Sequence, residues 1–150
     1  MDVFTRSFPG LPEQVAEARH WVDDVLTTAT SGPGVPDDTI ATAVLLLSEL
    51  CTNVIRYSRS GKQEGRFTVR LVLTSGELEA RVADNGAAAS VRHLTDCDPD
   101  TEGGRGLRLA LHFADELGAL PNGRGMYYRL VWDTAPASED APVAVQEPSR

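Results

Sequence analysis

A chain of 150 residues that is 41% hydrophobic is the usual size of one domain and carries enough apolar material for one core. Its 22 acidic against 14 basic residues leave a net charge of −8, which repels a phosphate backbone and argues against nucleic acid as a direct partner. No apolar run approaches the roughly 18 residues of a membrane span, and the opening MDVFTRSFPG lacks the basic and apolar parts of a targeting segment. The expectation is a cytoplasmic protein without a membrane partner.

Val3 to Phe8 alternates as VFTRSF before Pro9, the pattern of a short opening strand. Pro12 suits the first turn of a helix running to about Ala29, with Val15, Ala18, Val22 and Leu26 spaced three or four apart. The breakers Gly32, Pro33 and Gly34 demand a loop, after which Asp37 or Asp38 can cap a second helix reaching about Ser58. Two alternating runs follow, Phe67 to Leu73 and Leu78 to Val82, joined by Thr74-Ser75-Gly76-Glu77, which has the length and glycine of a hairpin turn.

The second run ends in VADNG and gives way to about twenty polar, aperiodic residues, a long loop of the kind usually tied to function. GGRGL then opens a helix expected to reach Leu117, and Leu120 onward with Met126 to Trp132 reads as a last hairpin around Gly123 and Gly125. From residue 134 the chain has three prolines, alternating charge and no periodicity, the composition of a disordered tail after a domain spanning 1–133. Cys51 and Cys97 have no paired or metal-ligand spacing and read as reduced thiols.

Three segments carry chemistry. In LLLSELCTNVIRYS, stepping about 100° per residue places Ile40, Val44, Cys51 and Val54 within roughly 60° of Leu47, one apolar stripe. Glu49 and Asn53 fall on the other side together with Leu45 and Leu46, so the helix reads as buried nearly all round with a carboxylate and an amide about 6 Å apart inside. A partly exposed polar pair is the plainer alternative. VADNG ends a buried strand on Asp84, with Gly86 letting a ligand approach the backbone; an Asn-Gly turn explains it as well. EGGRGL places glycines at a helix start, where free N–H groups favour a polyphosphate, though a flexible loop has the same composition. No GxGxxG or GxxxxGK[ST] motif is present.

Taken in order, an amide-bearing helix, a hairpin ending in Asp-x-Gly, a loop, Gly-x-Gly-Leu opening a helix and a closing strand pair, the chain resembles the Bergerat-fold ATPases over about residues 3–133. Within that superfamily, which also holds the gyrases and the histidine kinases, SELCTNVIRYS, VADNG and GGRGL look most like the anti-sigma-factor serine/threonine kinases. The resemblance implies an α+β fold, a two-layer sandwich with helices packed on one face of a mixed, mostly antiparallel sheet. It implies ATP and Mg²⁺ as cofactors. Asn53 corresponds to the metal-binding asparagine, Glu49 to the acidic residue acting on the attacking hydroxyl, and Asp84 to the aspartate that meets the adenine amine. Gly86 corresponds to the glycine under the base, and Gly104, Arg105, Gly106 and Leu107 to the lid and helix opening over the phosphates. Where a second glycine would follow Gly86 stands Ala88, and where relatives often carry a threonine the late strand has Met126, Tyr127 and Tyr128. Those departures imply a lid that is stiffer or differently placed, and they leave adenine affinity open.

Two functions fit. One is a protein serine/threonine kinase that phosphorylates a small STAS-type antagonist and sequesters a sigma factor, with a homodimer as the state the resemblance implies. The other is a nucleotide-gated binding switch without phosphotransfer. A histidine kinase lacks its parts, because His20, His93 and His112 include no acceptor on a dimerising helix hairpin.

Overall fold

The computed structural model describes residues 1–28, 34–57 (side chains to 55), 65–84, 110, 112–121 and 123–134. Within these the order is β1 (Asp2–Pro9), α1 (Gln14–Thr28), α2 (Asp37–Tyr57), β2 (Arg66–Thr74), β3 (Glu77–Asp84), β4 (Glu116–Ala119) and β5 (Gly125–Val131). The five strands form one sheet in the order β1-β2-β3-β5-β4. Both helices lie on one side of it, an α+β two-layer sandwich. All four strand pairings are antiparallel, so the described sheet lacks the parallel pair that the expected mixed sheet would contain.

Alternation decides which face is covered, because successive strand residues point to opposite sides. In β2, Phe67, Val69, Leu71 and Leu73 are buried, as are Leu78, Ala80, Val82 and Asp84 in β3 and Met126, Tyr128 and Leu130 in β5. The intervening residues, among them Arg70, Arg81, Tyr127 and Arg129, line the other, open face. The two-residue turn Ser75-Gly76 fixes this register, Thr74 facing Glu77, and it needs the positive φ of 83° that Gly76 supplies. Phe8 stacks on its cross-strand partner Phe67 with centroids 5.3 Å apart and meets Trp21 of α1 edge-on at 6.1 Å. One aromatic cluster thus joins the edge strand to the first helix.

The helices begin and end close to their sequence signals, with instructive differences. α1 starts two residues after Pro12, whose carbonyl accepts the N–H of Val15 at 3.1 Å. At α2 the Pro36 carbonyl accepts the Ile40 N–H at 2.9 Å. Asp37 and Asp38 therefore sit inside the first turn, where carboxylates favour the positive end of the helix dipole, rather than preceding it as caps. The Asp37–Ile55 stretch, 19 residues with mean hydropathy 1.4, is long and apolar enough to cross a membrane by length and composition. That corrects the expectation that no such run exists; here it is the core helix, packed on α1 and on β2, β3 and β5.

A second correction concerns the end of the domain. Leu117 does not end a helix. It lies in β4 opposite Tyr128, and the last hairpin begins at Glu116, not Leu120. The preceding residues form a turn in which the Ala110 carbonyl accepts N–H groups of Phe113 and Ala114, and His112 is exposed in that turn. The proposed tail, residues 134–150, lies outside the described residues except for Thr134.

Gly125 sets how closely β5 approaches β3. A Cβ built there would stand 2.1 Å from the Val82 carbonyl oxygen and 2.8 Å from the Ala83 Cα, both backbone atoms that cannot rotate away. Gly125→Ala is therefore expected to lower stability by about 3 kcal/mol. Gly123→Ala meets no neighbour but must adopt a φ of 73°, a cost of about 1 kcal/mol. Urea unfolding of both variants checks that order, and equal midpoints would refute the close approach.

Candidate functional site

α2 turns a wide arc toward the sheet and α1. Ile40, Ala43, Leu46, Leu47, Leu50, Cys51, Val54 and Ile55 are buried, and Asn53 is buried among them at 3% exposure. The helix is not buried all round, since Ala41, Leu45 and Thr52 form a strip open to solvent, Leu45 being 47% exposed. Glu49, one turn before Asn53, is half-buried at the margin of the covered arc.

Asp84 is the last residue of β3 and is 4% exposed. Its N–H donates to the Arg124 carbonyl at 2.7 Å, carrying the β3–β5 ladder one step past the Ala83–Gly125 pair. Met126 pairs with Val82, two residues before Asp84 and on the same face. The side-chain NH₂ of Asn53 donates to the Met126 Sδ at 2.8 Å. Asn53, Met126 and Asp84 thus share the helix-covered side at the end of the β3–β5 pair. Among the described residues the buried Asn53 Oδ1 has no hydrogen-bond partner, an arrangement that costs about 1–3 kcal/mol unless something meets it.

Of the three bulky residues on the late strand, only one touches the candidate site in this way. Tyr127 faces the opposite side, where its hydroxyl donates to the Glu116 carboxylate. Arg129 also donates to that carboxylate, at 3.0 and 3.2 Å, and these partners hold Glu116 below the usual carboxylate range. Tyr128 points inward, but its hydroxyl donates to the Ala43 carbonyl at 2.8 Å, ten residues up the helix from Asn53. Of the three, Met126 is the residue that contacts Asn53. Period-2 counting along GMYYRLV would have set Tyr127 on the face opposite Met126 and Tyr128.

Burial pushes the Cys51 thiol well above its ordinary pKa, so it is a neutral packing group, not a nucleophile. An apolar cleft of about 330 Å³ lies between the start of α1 and the end of α2, lined by Pro12, Val15, Thr52 and Ile55. Among the described residues its lining includes none of the predicted site residues. Gly86, Ala88, Gly104, Arg105, Gly106 and Leu107 lie outside the described residues. Among the described residues no group of three His, Cys, Asp or Glu side chains could hold a metal.

The sequence profile of the histidine kinase-like ATPase domain matches residues 8–132, nearly the whole of this fold. The chain belongs to that family. As a histidine kinase-like ATPase domain it is similar to proteins named serine-protein kinase RsbW. The Listeria monocytogenes serovar 1/2a protein is 29% identical over 87 residues, covering 58% of this chain and 53% of the relative. The Bacillus pumilus protein is 28% identical over 134 residues, covering 81% of this chain and 80% of the relative. The chain spans about half the length of the Listeria relatives it matches.

If this ATPase domain keeps the Asn53 amide for a ligand and not for its fold, removing the unmet acceptor relieves a cost. Asn53→Leu, which keeps the branched heavy-atom skeleton, is expected to raise the stability of the nucleotide-free protein by about 1 kcal/mol. Chemical denaturation checks this, and a loss of stability would assign the amide to the fold.

Proposed function

We propose that this domain binds Mg-ATP at the Asn53–Asp84 end of the sheet and transfers the γ-phosphoryl group to a serine or threonine of a small STAS-type antagonist protein. We further propose that it sequesters a sigma factor. The observation that carries the reading is the buried Asn53 Oδ1, which has no partner among the described residues, on the same side of the sheet as a buried strand-end carboxylate. An amide oxygen is a hard donor suited to Mg²⁺, which binds few protein ligands and keeps water and substrate phosphates for the rest. When bound, the ion supplies charge neutralisation at the phosphates. The name shared by the relatives, serine-protein kinase, supports the choice of acceptor.

The residues divide the work by position. Asp84 accepts a hydrogen bond from the adenine amine, which selects ATP over GTP because guanine presents a carbonyl at that point. Asn53 supplies its Oδ1 to the metal. Glu49, half-buried beside it, takes the proton of the incoming hydroxyl. The new oxygen–phosphorus bond forms as the bond between the γ-phosphorus and the β,γ-bridging oxygen breaks, and ADP leaves. Positioning and charge placement carry most of the catalysis in such transfers. Gly104, Arg105, Gly106 and Leu107 are assigned to the lid over the phosphates, with Gly86 beneath the base.

Glu49 separates a kinase from a binding switch. A general base acts in the transition state, whereas Asn53 holds metal in the ground state as well. Glu49→Ala is expected to keep Mg-ATP affinity by calorimetry and to lose about 10²–10⁴-fold in transfer of radiolabelled phosphate to partners captured from native lysate. Asn53→Ala should lose the metal-dependent part of ATP binding itself. Wild type that binds Mg-ATP and its partner yet labels nothing, with Glu49→Ala indistinguishable from it, would identify a nucleotide-gated switch.

A further inference from the structure

The orientation of the Asn53 amide is fixed by chemistry as well as by coordinates. A terminal amide has one end that donates and one that accepts, and the two differ little in shape. Beside a hydroxyl either end is tolerated, because a hydroxyl both donates and accepts. Beside a thioether only one is, since sulfur carries no proton and acts only as an acceptor. The Met126 Sδ lies 2.8 Å from the Asn53 Nδ2, and Met126 is fully buried, which leaves no water there to offer an alternative partner. The NH₂ end must face the strand, and the Oδ1 must be the free acceptor, as it is.

We propose that Met126 is a positioning residue for Asn53. Its thioether holds the amide in the one orientation that offers an oxygen, rather than two N–H protons, to a cation brought in with a nucleotide. The proposal rests on the Mg-ATP reading above and adds to it why a methionine occupies this place on β5. The reversed amide would aim its positive end at the ion and leave the Oδ1 against sulfur. Both contacts are repulsive, and both occur out of water, where such contacts are felt most strongly.

Met126→Leu tests this, because leucine keeps the volume and removes the acceptor. Calorimetry on the full chain should show Mg-ATP affinity falling about fivefold (~1 kcal/mol), the worth of one modest hydrogen bond. ATP titrated in EDTA should bind the variant and the wild type equally, since base recognition by Asp84 does not involve the amide. Equal weakening with and without metal would place Met126 in base recognition or packing and overturn the proposal, as would no weakening at all. A second measurement needs neither ligand nor variant. In nucleotide-free wild type labelled at the methionine methyls, the Asn53 side-chain NH₂ protons should show a strong nuclear Overhauser effect to the Met126 methyl, and its absence overturns the proposal even if Met126→Leu does not fold. Wild type that shows this effect but binds ATP in neither buffer would overturn the nucleotide reading, and the metal-directed role of Met126 with it.

Discussion

An amide buried inside the contact between a core helix and a sheet is the constraint on which the rest of this molecule turns. Asn53 at 3% exposure brings a polar group into a region that is otherwise aliphatic. Leu46, Leu47, Leu50, Cys51 and Val54 surround it along α2, each fully buried. Each such aliphatic side chain contributes about 1.5–3 kcal/mol relative to exposure, so the neighbours within two turns offset one unmet acceptor several times over. The sheet order matters equally. β3 lies at the centre, between β2 and β5, and its last residue is the second buried polar group, Asp84. Both groups are dry because a core helix crosses the end of the central strands.

Much of the sandwich could be read from residue patterns because those patterns coincide with burial. The alternation in β2 and β3 and the Ser75-Gly76 turn reappear as a register in which Phe67 faces Asp84 and Thr74 faces Glu77. Where local pattern and tertiary pairing disagree, pairing wins. His112 to Leu117 has helix-compatible composition, yet Glu116 to Ala119 is a strand, because it can complete the edge beside β5. Asp115 helps end the preceding turn: its carboxylate accepts the Val131 N–H at 2.7 Å, and its own N–H donates to the Arg129 carbonyl at 2.9 Å. None of those partners is near in sequence, so no local window reveals them.

The candidate site divides along the same line. Helical periodicity set Glu49 and Asn53 away from the Leu47 stripe, and the resemblance of SELCTNV and VADNG to an ATPase pattern named their roles. Periodicity alone could not say how wide the covered arc would be. It is wide because α2 packs on α1 as well as on three strands, which draws Asn53 inside and leaves Glu49 at the margin and Leu45 outside. Met126 escaped notice as a partner of Asn53 because the two are 73 positions apart. Nothing in a single sequence links a methionine on one element to an amide on another.

The two ends of α2 are treated differently, and the difference has a mechanical meaning. Toward its start the Ala43 carbonyl receives the buried Tyr128 hydroxyl at 2.8 Å, a donor and an acceptor that satisfy each other. Burial raises the Tyr128 pKa further, so the proton that makes this bond stays in place. Toward its end the same strand offers Asn53 only a thioether, and the Oδ1 is left over. Tyr128 and Met126 sit two residues apart on β5, whereas their helix partners are ten residues apart, about 15 Å along the axis. The strand therefore meets the helix at two well-separated points. One contact anchors the helix against sliding, and the other sets the rotation of a single amide. On the Mg-ATP reading proposed above, an amide oxygen held in this way would not have to be reoriented when the nucleotide arrives, a preorganisation that places charge accurately without a rigid cage of ligands.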